Sequence, residues 1–106
     1  MRLYHNPRCS KSRQALALLN ESGVEFEEYR YLELGIAEED LEILSSLTGI
    51  IRTNEQEFKS GKFDVNNTEL VKEALKKTPK LLQRPVLITS GKAVIGRPPE
   101  DIKSII

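Results

Sequence analysis

The chain has 106 residues, a length typical of one domain, and we predict a single domain spanning residues 1–106. Hydrophobic residues make up 39% and charged residues 30%, a composition that favours a folded globule over intrinsic disorder. The 16 basic and 16 acidic residues cancel, which argues against a nucleic-acid partner held by a strongly basic surface. One cysteine and one histidine exclude an intrachain disulfide and a His/Cys zinc cluster, so we predict no metal site. We also predict no bound cofactor.

Apolar segments are short throughout the sequence. The longest run covers residues 15–19, far below the ~20 residues that a membrane span requires, and no secretion signal follows the first two residues. We therefore expect a cytoplasmic protein with no membrane partner. Residues 1–20 carry only basic charges, whereas residues 21–42 carry nine acids and one arginine. For this acidic segment a solvated face is favoured over a docking surface.

The first predicted elements are a strand and a helix. Leu3 and Tyr4 centre a short strand that stops before Pro7, because proline has no N–H for ladder pairing. Apolar residues within 15–19 then recur at helical spacing, and Gly23 is typical of the left-handed residue that closes a helix.

A second strand is predicted over residues 24–31. Apolar and aromatic residues alternate there in two phases, and a bulge near Glu28 would explain the slip between them. Because a strand–helix–strand unit requires a crossover, the first two strands are expected to pair in parallel.

Three helices are predicted next, over residues 37–48, 53–60 and 68–77. The segment Thr53–Gln56 has the spacing of a capping box at the start of the second one. After the strands described below, residues 99–106 are predicted to form a last helix that begins with proline.

Two further strands complete the pattern. Residues 86–89 and 92–95 flank Ser90-Gly91, a two-residue signal for a β-hairpin. The element order is βαβ-ααα-ββα, which predicts an α/β fold with a mixed four-stranded sheet. This is the thioredoxin-like order, with a helical insertion at about residues 34–80.

The lone thiol, Cys9, lies at the predicted junction of the first strand and helix. The free N–H groups and positive dipole end of a helix favour a thiolate there, which makes the sulfur nucleophilic at neutral pH. A small buried apolar cysteine is the alternative, but polar or charged residues and a proline surround Cys9 in sequence. The cationic or potentially cationic neighbours are His5, Arg8, Lys11 and Arg13.

Cys9 and Ser12 form a C-x-x-S pattern, in which serine replaces the second cysteine of a dithiol oxidoreductase. We predict that Ser12, His5 and Arg13 stabilise the thiolate. Ser12 can donate to sulfur or merely satisfy a free helix-start N–H. His5 is either a general base or, as we favour, a group that raises the local potential and holds the loop. Because serine cannot resolve a mixed disulfide, an external thiol must complete any redox cycle.

Four motifs together resemble a known family. They run in family order across nearly the whole chain and comprise Tyr4–Arg13, Ile51–Glu55, Arg84–Ile88 and Ile95–Glu100. The sequence is similar in these segments to the glutaredoxin-coupled arsenate reductases of the ArsC/Spx family.

The resemblance implies roles for particular residues. Cys9 would be the nucleophile, Arg52, Arg84 and Arg97 would surround the arsenic oxyanion, and the Arg84–Pro85 bond would be cis. Elementary chemistry also supports an oxyanion-binding role for arginines. A thiolate is repelled by an oxyanion whose charge is not neutralised, and a guanidinium fork binds two such oxygens at once. Solvated surface arginines are the alternative for any one of them taken alone.

The resemblance also implies an activity, the reduction of arsenate to arsenite with glutathione as co-substrate and glutaredoxin as partner. The family includes redox-sensing regulators as well. The competing hypothesis is therefore a non-enzymatic redox-responsive protein that binds RNA polymerase or another protein. Ser12 argues against a disulfide switch but not against glutathionylation of Cys9.

Overall fold

The chain folds into four strands and five α-helices, and the computed structural model describes residues 1–106. Three 3-10 helices, Glu38–Asp40, Pro79–Leu81 and Pro99–Ile105, complete the secondary structure. None of the helices combines the length and apolar character needed to cross a membrane. In chain order the strands and α-helices are β1 (Arg2–Tyr4), α1 (Ser10–Ser22), β2 (Glu27–Tyr29), α2 (Tyr31–Leu34), α3 (Leu41–Ser45), α4 (Gln56–Ser60), α5 (Thr68–Lys77), β3 (Val86–Thr89) and β4 (Lys92–Ile95).

The strands form one mixed sheet in the order β2-β1-β3-β4. β1 pairs in parallel with β2 and antiparallel with β3, and β3 pairs antiparallel with β4. This is the predicted α/β, thioredoxin-like mixed sheet, and the fold prediction is confirmed. The helical insertion lies between β2 and β3, as expected.

Side chains alternate between the two faces of the sheet, and each face has its own core. Leu3 and its cross-strand partner Leu87 pack with residues of α1 and the C-terminal 3-10 helix. Tyr4 and its partner Val86 pack with the helical insertion on the opposite face. β1 is therefore buried on both sides, and the loop that follows it emerges between the two helical layers.

Local sequence signals predicted several elements correctly. Gly23 closes α1 in the left-handed conformation with φ 75°. Ser90 and Gly91, with φ 47° and 76°, form the turn of the β3–β4 hairpin. Helix α5 has the predicted bounds, and Asn67 caps it by accepting from the N–H groups of Glu69 and Leu70.

Other predictions were wrong. The second strand is only Glu27–Tyr29, its register with β1 is continuous through Glu28, and no bulge is needed. Tyr31, assigned to that strand by its alternation with Tyr29, instead begins α2. The predicted capping box is also absent, because Glu55 is itself the residue that precedes α4 and its carboxylate binds Arg52.

A buried carboxylate ties the insertion to the sheet. Asp40 Oδ2 accepts from the Tyr4 hydroxyl at 2.5 Å and from Arg2 Nη1 at 2.7 Å. The Tyr4 oxygen in turn accepts from the Ala37 N–H at 3.2 Å. Since the Tyr4 side chain is fully buried, its hydroxyl depends on these partners for hydrogen bonding.

We predict that Asp40→Ala lowers the free energy of unfolding by roughly 2–3 kcal/mol, because it leaves the buried Tyr4 hydroxyl and Arg2 Nη1 without their shared acceptor. Urea unfolding followed by circular dichroism measures the change. Glu39→Ala is the matched control, since Glu39 is exposed and its carboxylate makes only a long ion pair with Arg2, at 4.0 Å. Its effect should stay within about 0.5 kcal/mol. Equal losses in the two variants would contradict the role assigned to Asp40.

Candidate active site

Cys9 is the residue that immediately precedes the 13-residue helix α1. Its backbone is extended, its N–H donates to the Asn6 carbonyl at 3.0 Å, and its carbonyl accepts from the Arg13 N–H at 3.0 Å. The residue is only 9% exposed. The turn of residues 6–9 thus fixes the sulfur where the free N–H groups of the helix start.

The surroundings of Cys9 favour its thiolate. Burial by itself would raise the pKa of the thiol, but the Ser12 N–H, the Arg84 guanidinium and the Lys11 N–H outweigh it and lower the pKa below the ordinary cysteine value. Arg97 makes the direct side-chain contact, with Nη2 donating to Sγ at 3.7 Å. Two helix N–H groups and two distant arginines therefore stabilise the negative sulfur.

The β3–β4 hairpin brings those two arginines together. Arg84 immediately precedes Pro85 and β3, Arg97 follows β4, and Arg97 Nε donates to the Arg84 carbonyl at 2.9 Å. The Arg84–Pro85 peptide bond is cis, the isomer that the resemblance implies. The Arg97–Pro98 bond is cis as well, which the sequence did not indicate.

Gly96 allows this close packing next to Arg97. Its N–H donates to the Pro85 carbonyl at 2.8 Å. A Cβ atom on Gly96 would lie 2.9 Å from Pro85 Cγ and 3.1 Å from a methyl group of Ile102. A larger residue would push the two ends of the hairpin apart and move Arg97 away from Arg84.

The guanidinium of Arg52 is bound by the side chains of Glu55 and Gln83. The Arg52 N–H donates to the Leu81 carbonyl at 2.8 Å, beside a bridge between Ile51 and Leu82. Its guanidinium donates to Glu55 Oε1 from Nε and Nη2, at 3.2 and 3.0 Å, and to the Gln83 side chain at 3.1 Å. The hydrogen bonds from Arg52 lower the pKa of Glu55. The structure thus shows no contact of Arg52 with the sulfur.

His5 and Ser12 form a buried pair that holds the loop. Burial lowers the pKa of His5, so the ring is neutral near pH 7. Ser12 Oγ accepts from the Asn6 N–H at 3.0 Å and lies 2.6 Å from His5 Nδ1. The tautomer of the His5 ring sets which of the two groups donates in this bond.

This arrangement differs from two expectations about the thiolate. A neutral His5 does not raise the potential, although it does hold the loop. Ser12 acts on the sulfur through its backbone N–H, while its hydroxyl serves His5 and Asn6.

The arginines and lysine adjacent to Cys9 in sequence are all exposed. Arg13 Nη1 donates to the Pro7 carbonyl at 2.9 Å and so supports the loop from outside. The side chains of Arg8 and Lys11 make no hydrogen bond or ion pair. The positive charge that lowers the pKa of Cys9 comes from Arg84, 75 positions along the chain.

Tyr31 is the site residue that sequence analysis missed. It is completely buried, and its hydroxyl has no hydrogen-bond partner, a property it shares with Arg84 Nε. Burial raises the pKa of Tyr31 to about 12, while the charges of Arg84 and Arg52 act against this and that of Cys9 acts with it. The alternation of Tyr29 with Tyr31 predicted that the strand continues to Tyr31. In the structure the strand ends at Tyr29, and Tyr31 begins α2 with its side chain buried.

A thioredoxin-like sheet that holds one cysteine of lowered pKa beside Arg84 and Arg97 defines a class of single-cysteine thiol proteins. The model of the ArsC family matches residues 4–105, and the chain belongs to that family.

Three similar proteins illustrate the relationship. The uncharacterized protein YfgD of Escherichia coli is 40% identical over all of this chain and 96% of its own length. The arsenate reductase of Neisseria meningitidis serogroup A is 35% identical over all of this chain and 97% of its own. The solved arsenate reductase of Vibrio cholerae superimposes with a TM-score of 0.84 at 32% identity, covering all of this chain and 98% of that one.

The family also extends to regulators. The global transcriptional regulator Spx of Streptococcus agalactiae is 28% identical, over 98% of this chain and 81% of its own length.

We predict that the pKa of Cys9, titrated by thiolate absorbance, lies below that of a free cysteine, ~8.5. Arg84→Met should raise it, because the variant removes the guanidinium that stabilises the anion. Arg8→Met makes the same chemical change at an exposed residue next to Cys9 and should leave the pKa near that of the parent. If only Arg8→Met raised the pKa, the electrostatic origin assigned here would be wrong.

Proposed function

We propose that this protein reduces arsenate to arsenite through a covalent adduct of arsenic on Cys9, with glutathione and glutaredoxin as the source of electrons. The observation that carries the proposal is the buried Cys9 sulfur with lowered pKa and Arg97 Nη2 at 3.7 Å. Membership of the ArsC family, with arsenate reductases among its relatives, supports arsenate as the anion. The reaction suits the cytoplasm, where glutathione keeps thiols reduced.

The first step is a substitution at arsenic(V). The Cys9 thiolate attacks arsenic, an S–As bond forms, and one As–O bond breaks as its oxygen leaves as water after protonation. Arg84 and Arg97 neutralise the oxyanion during the approach, so that two anions can meet. Sulfur does not reduce arsenic in this step, and arsenic keeps its +5 oxidation state.

Reduction follows in the second stage. A glutathione thiolate attacks arsenic, a second S–As bond forms, and a second arsenic oxygen leaves as water after protonation. A glutaredoxin thiolate then attacks the glutathione sulfur, the glutathione S–As bond breaks with its electron pair left on arsenic, and a mixed disulfide of glutathione and glutaredoxin departs. Two electrons pass from these two thiols to arsenic, which leaves as arsenite after water replaces the Cys9 sulfur. Cys9 returns to the thiolate, and Ser12 takes no part in sulfur exchange.

Arg52 requires a rearrangement before it can join the oxyanion. Its guanidinium is occupied by Glu55 and Gln83. Binding substrate through Arg52 therefore means exchanging the Glu55 carboxylate for an arsenate oxygen. Glu55 retains a second cation when this happens, because Lys80 Nζ lies 3.5 Å from its other oxygen.

A redox-responsive protein that binds another protein is the second candidate, supported by the likeness to Spx. In that role Cys9 would carry glutathione as a reversible mark instead of arsenic. Complete absence of arsenite formation with glutathione and glutaredoxin present would favour this candidate.

We expect Arg84→Lys and Arg97→Lys each to lower kcat/KM for arsenate by about tenfold or more, because lysine keeps the charge but lacks the paired donors of guanidinium. Steady-state assays of arsenite release measure the loss, and circular dichroism checks folding. Arg8→Lys controls for the loss of an arginine close to Cys9 in sequence. Parental kinetics in both hairpin variants would refute the oxyanion-binding role.

Turnover should depend wholly on added thiol, because the chain has one cysteine and no internal partner for it. Arsenite release is compared with and without glutathione and glutaredoxin, with Cys9→Ser as the inactive control. Without thiol we expect at most one arsenic bound per chain and no continued release. Multiple turnovers without any thiol would contradict the mechanism.

A further inference from the structure

We propose that Tyr31 and Arg84 form a pair of hydrogen-bond donors that binds a tetrahedral oxyanion beside Cys9, with Tyr31 as an uncharged oxyanion-binding residue. The inference deepens the proposed function and rests on it. Its starting point is that Tyr31 Oη and Arg84 Nε are the two buried side-chain polar atoms in the structure without a hydrogen-bond partner.

The topology brings Tyr31 to the edge of the sheet where Cys9 lies. Tyr31 lies two residues after the end of β2, and β2 runs parallel to β1, whose last residue leads into the Cys9 loop. The His5 N–H donates to the Tyr29 carbonyl at 2.9 Å, so the two strands remain paired up to this edge. The centroids of the Tyr31 and Tyr4 rings lie 6.1 Å apart, so the two rings pack against each other.

Arg84 reaches the same edge from the opposite direction. Val86 in antiparallel β3 pairs with Tyr4 at the end of β1, and Arg84 lies two residues before Val86. The ends of β1 and β2 and the start of β3 thus deliver Cys9, Tyr31 and Arg84 to one place. Electrostatic coupling of Tyr31 to both Cys9 and Arg84 agrees with this proximity.

Buried donors without acceptors lower the stability of a folded protein, and natural structures contain few of them. The Asn6 side chain influences the pKa of Tyr31, yet it does not meet hydrogen-bond geometry with the hydroxyl. An approach by the Asn6 amide would in any case satisfy only the acceptor side of that oxygen. The O–H of Tyr31 still requires an acceptor, and an oxyanion oxygen provides one.

The chemistry of the pair suits an anion. Both groups are donors when Tyr31 is protonated, and its raised pKa keeps it protonated across the neutral range. A neutral phenol adds a hydrogen bond without adding charge. The positive charge with which Arg84 and Arg97 stabilise the thiolate is therefore unchanged. A hydrogen bond to a charged acceptor contributes more than one between neutral groups.

The test compares Tyr31→Phe with Tyr4→Phe, which removes the same atom from a buried tyrosine whose hydroxyl is bonded to Asp40 and Ala37. Thermal unfolding is measured without anion and with arsenate, and KM for arsenate is measured in the complete thiol system. We expect Tyr31→Phe to unfold at or above the parental temperature without anion, because it removes an unpartnered hydroxyl. Its arsenate KM should rise roughly ten- to hundredfold, and its arsenate-induced stabilisation should shrink.

Tyr4→Phe should behave in the opposite way, with lower stability and parental arsenate KM. Parental KM and parental arsenate-induced stabilisation in Tyr31→Phe would overturn the inference while leaving the proposed function intact. A merely structural Tyr31 would give lower stability without anion, which also overturns it. If the parent neither turns over nor is stabilised by arsenate, the proposed function fails and the inference fails with it.

Discussion

Burial of a sulfur that must carry negative charge is the constraint on which the site depends. Taking a thiolate out of water disfavours it, and for fully buried groups this effect can reach 3–5 pKa units. Here the helix start supplies two N–H groups and the hairpin supplies Arg84 and Arg97. Since the arginines lie 75 and 88 residues from Cys9 in sequence, the stabilised thiolate is a property of the folded chain.

The topology of the mixed sheet brings these distant groups together. β1 is central and short, so the loop after it opens between the two helical layers at one edge of the sheet. Antiparallel pairing of β3 with β1 brings Arg84 to this edge, and β4 returns Arg97 to it. Gly96 then allows the end of β4 to pack directly on Pro85.

Sequence patterns predicted the elements whose signals are local. The Ser90-Gly91 turn and Gly23 need positive φ, and α5 shows clear helical spacing, so each could be located from neighbouring residues. Cys9 was found for the same reason, at the junction of a strand and a helix.

Other site features depend on partners that sequence proximity does not reveal. The segment Thr53–Gln56 matched a capping pattern, yet α4 begins after Glu55. The Glu55 carboxylate binds Arg52, whose position is set beside the Ile51–Leu82 bridge. Arg13 and His5 lie near Cys9 in sequence, yet one is exposed and the other is neutral. A residue's nearness to Cys9 along the chain therefore says little about its charge at the sulfur.

The site combines a fixed half with an adjustable half. Arg97 is held on the Arg84 carbonyl and points at the sulfur before any anion arrives, so little ordering remains to be done there. Arg52 is held by Glu55, and under the proposed function an oxyanion competes with that carboxylate for the same donors. Affinity then depends on how well the anion replaces Glu55, which favours oxyanions that present two oxygens to one guanidinium fork. Under the proposed function, the geometry at Arg52 therefore sets the selectivity among anions of similar charge, and the fixed environment of Cys9 sets the reactivity of the thiolate.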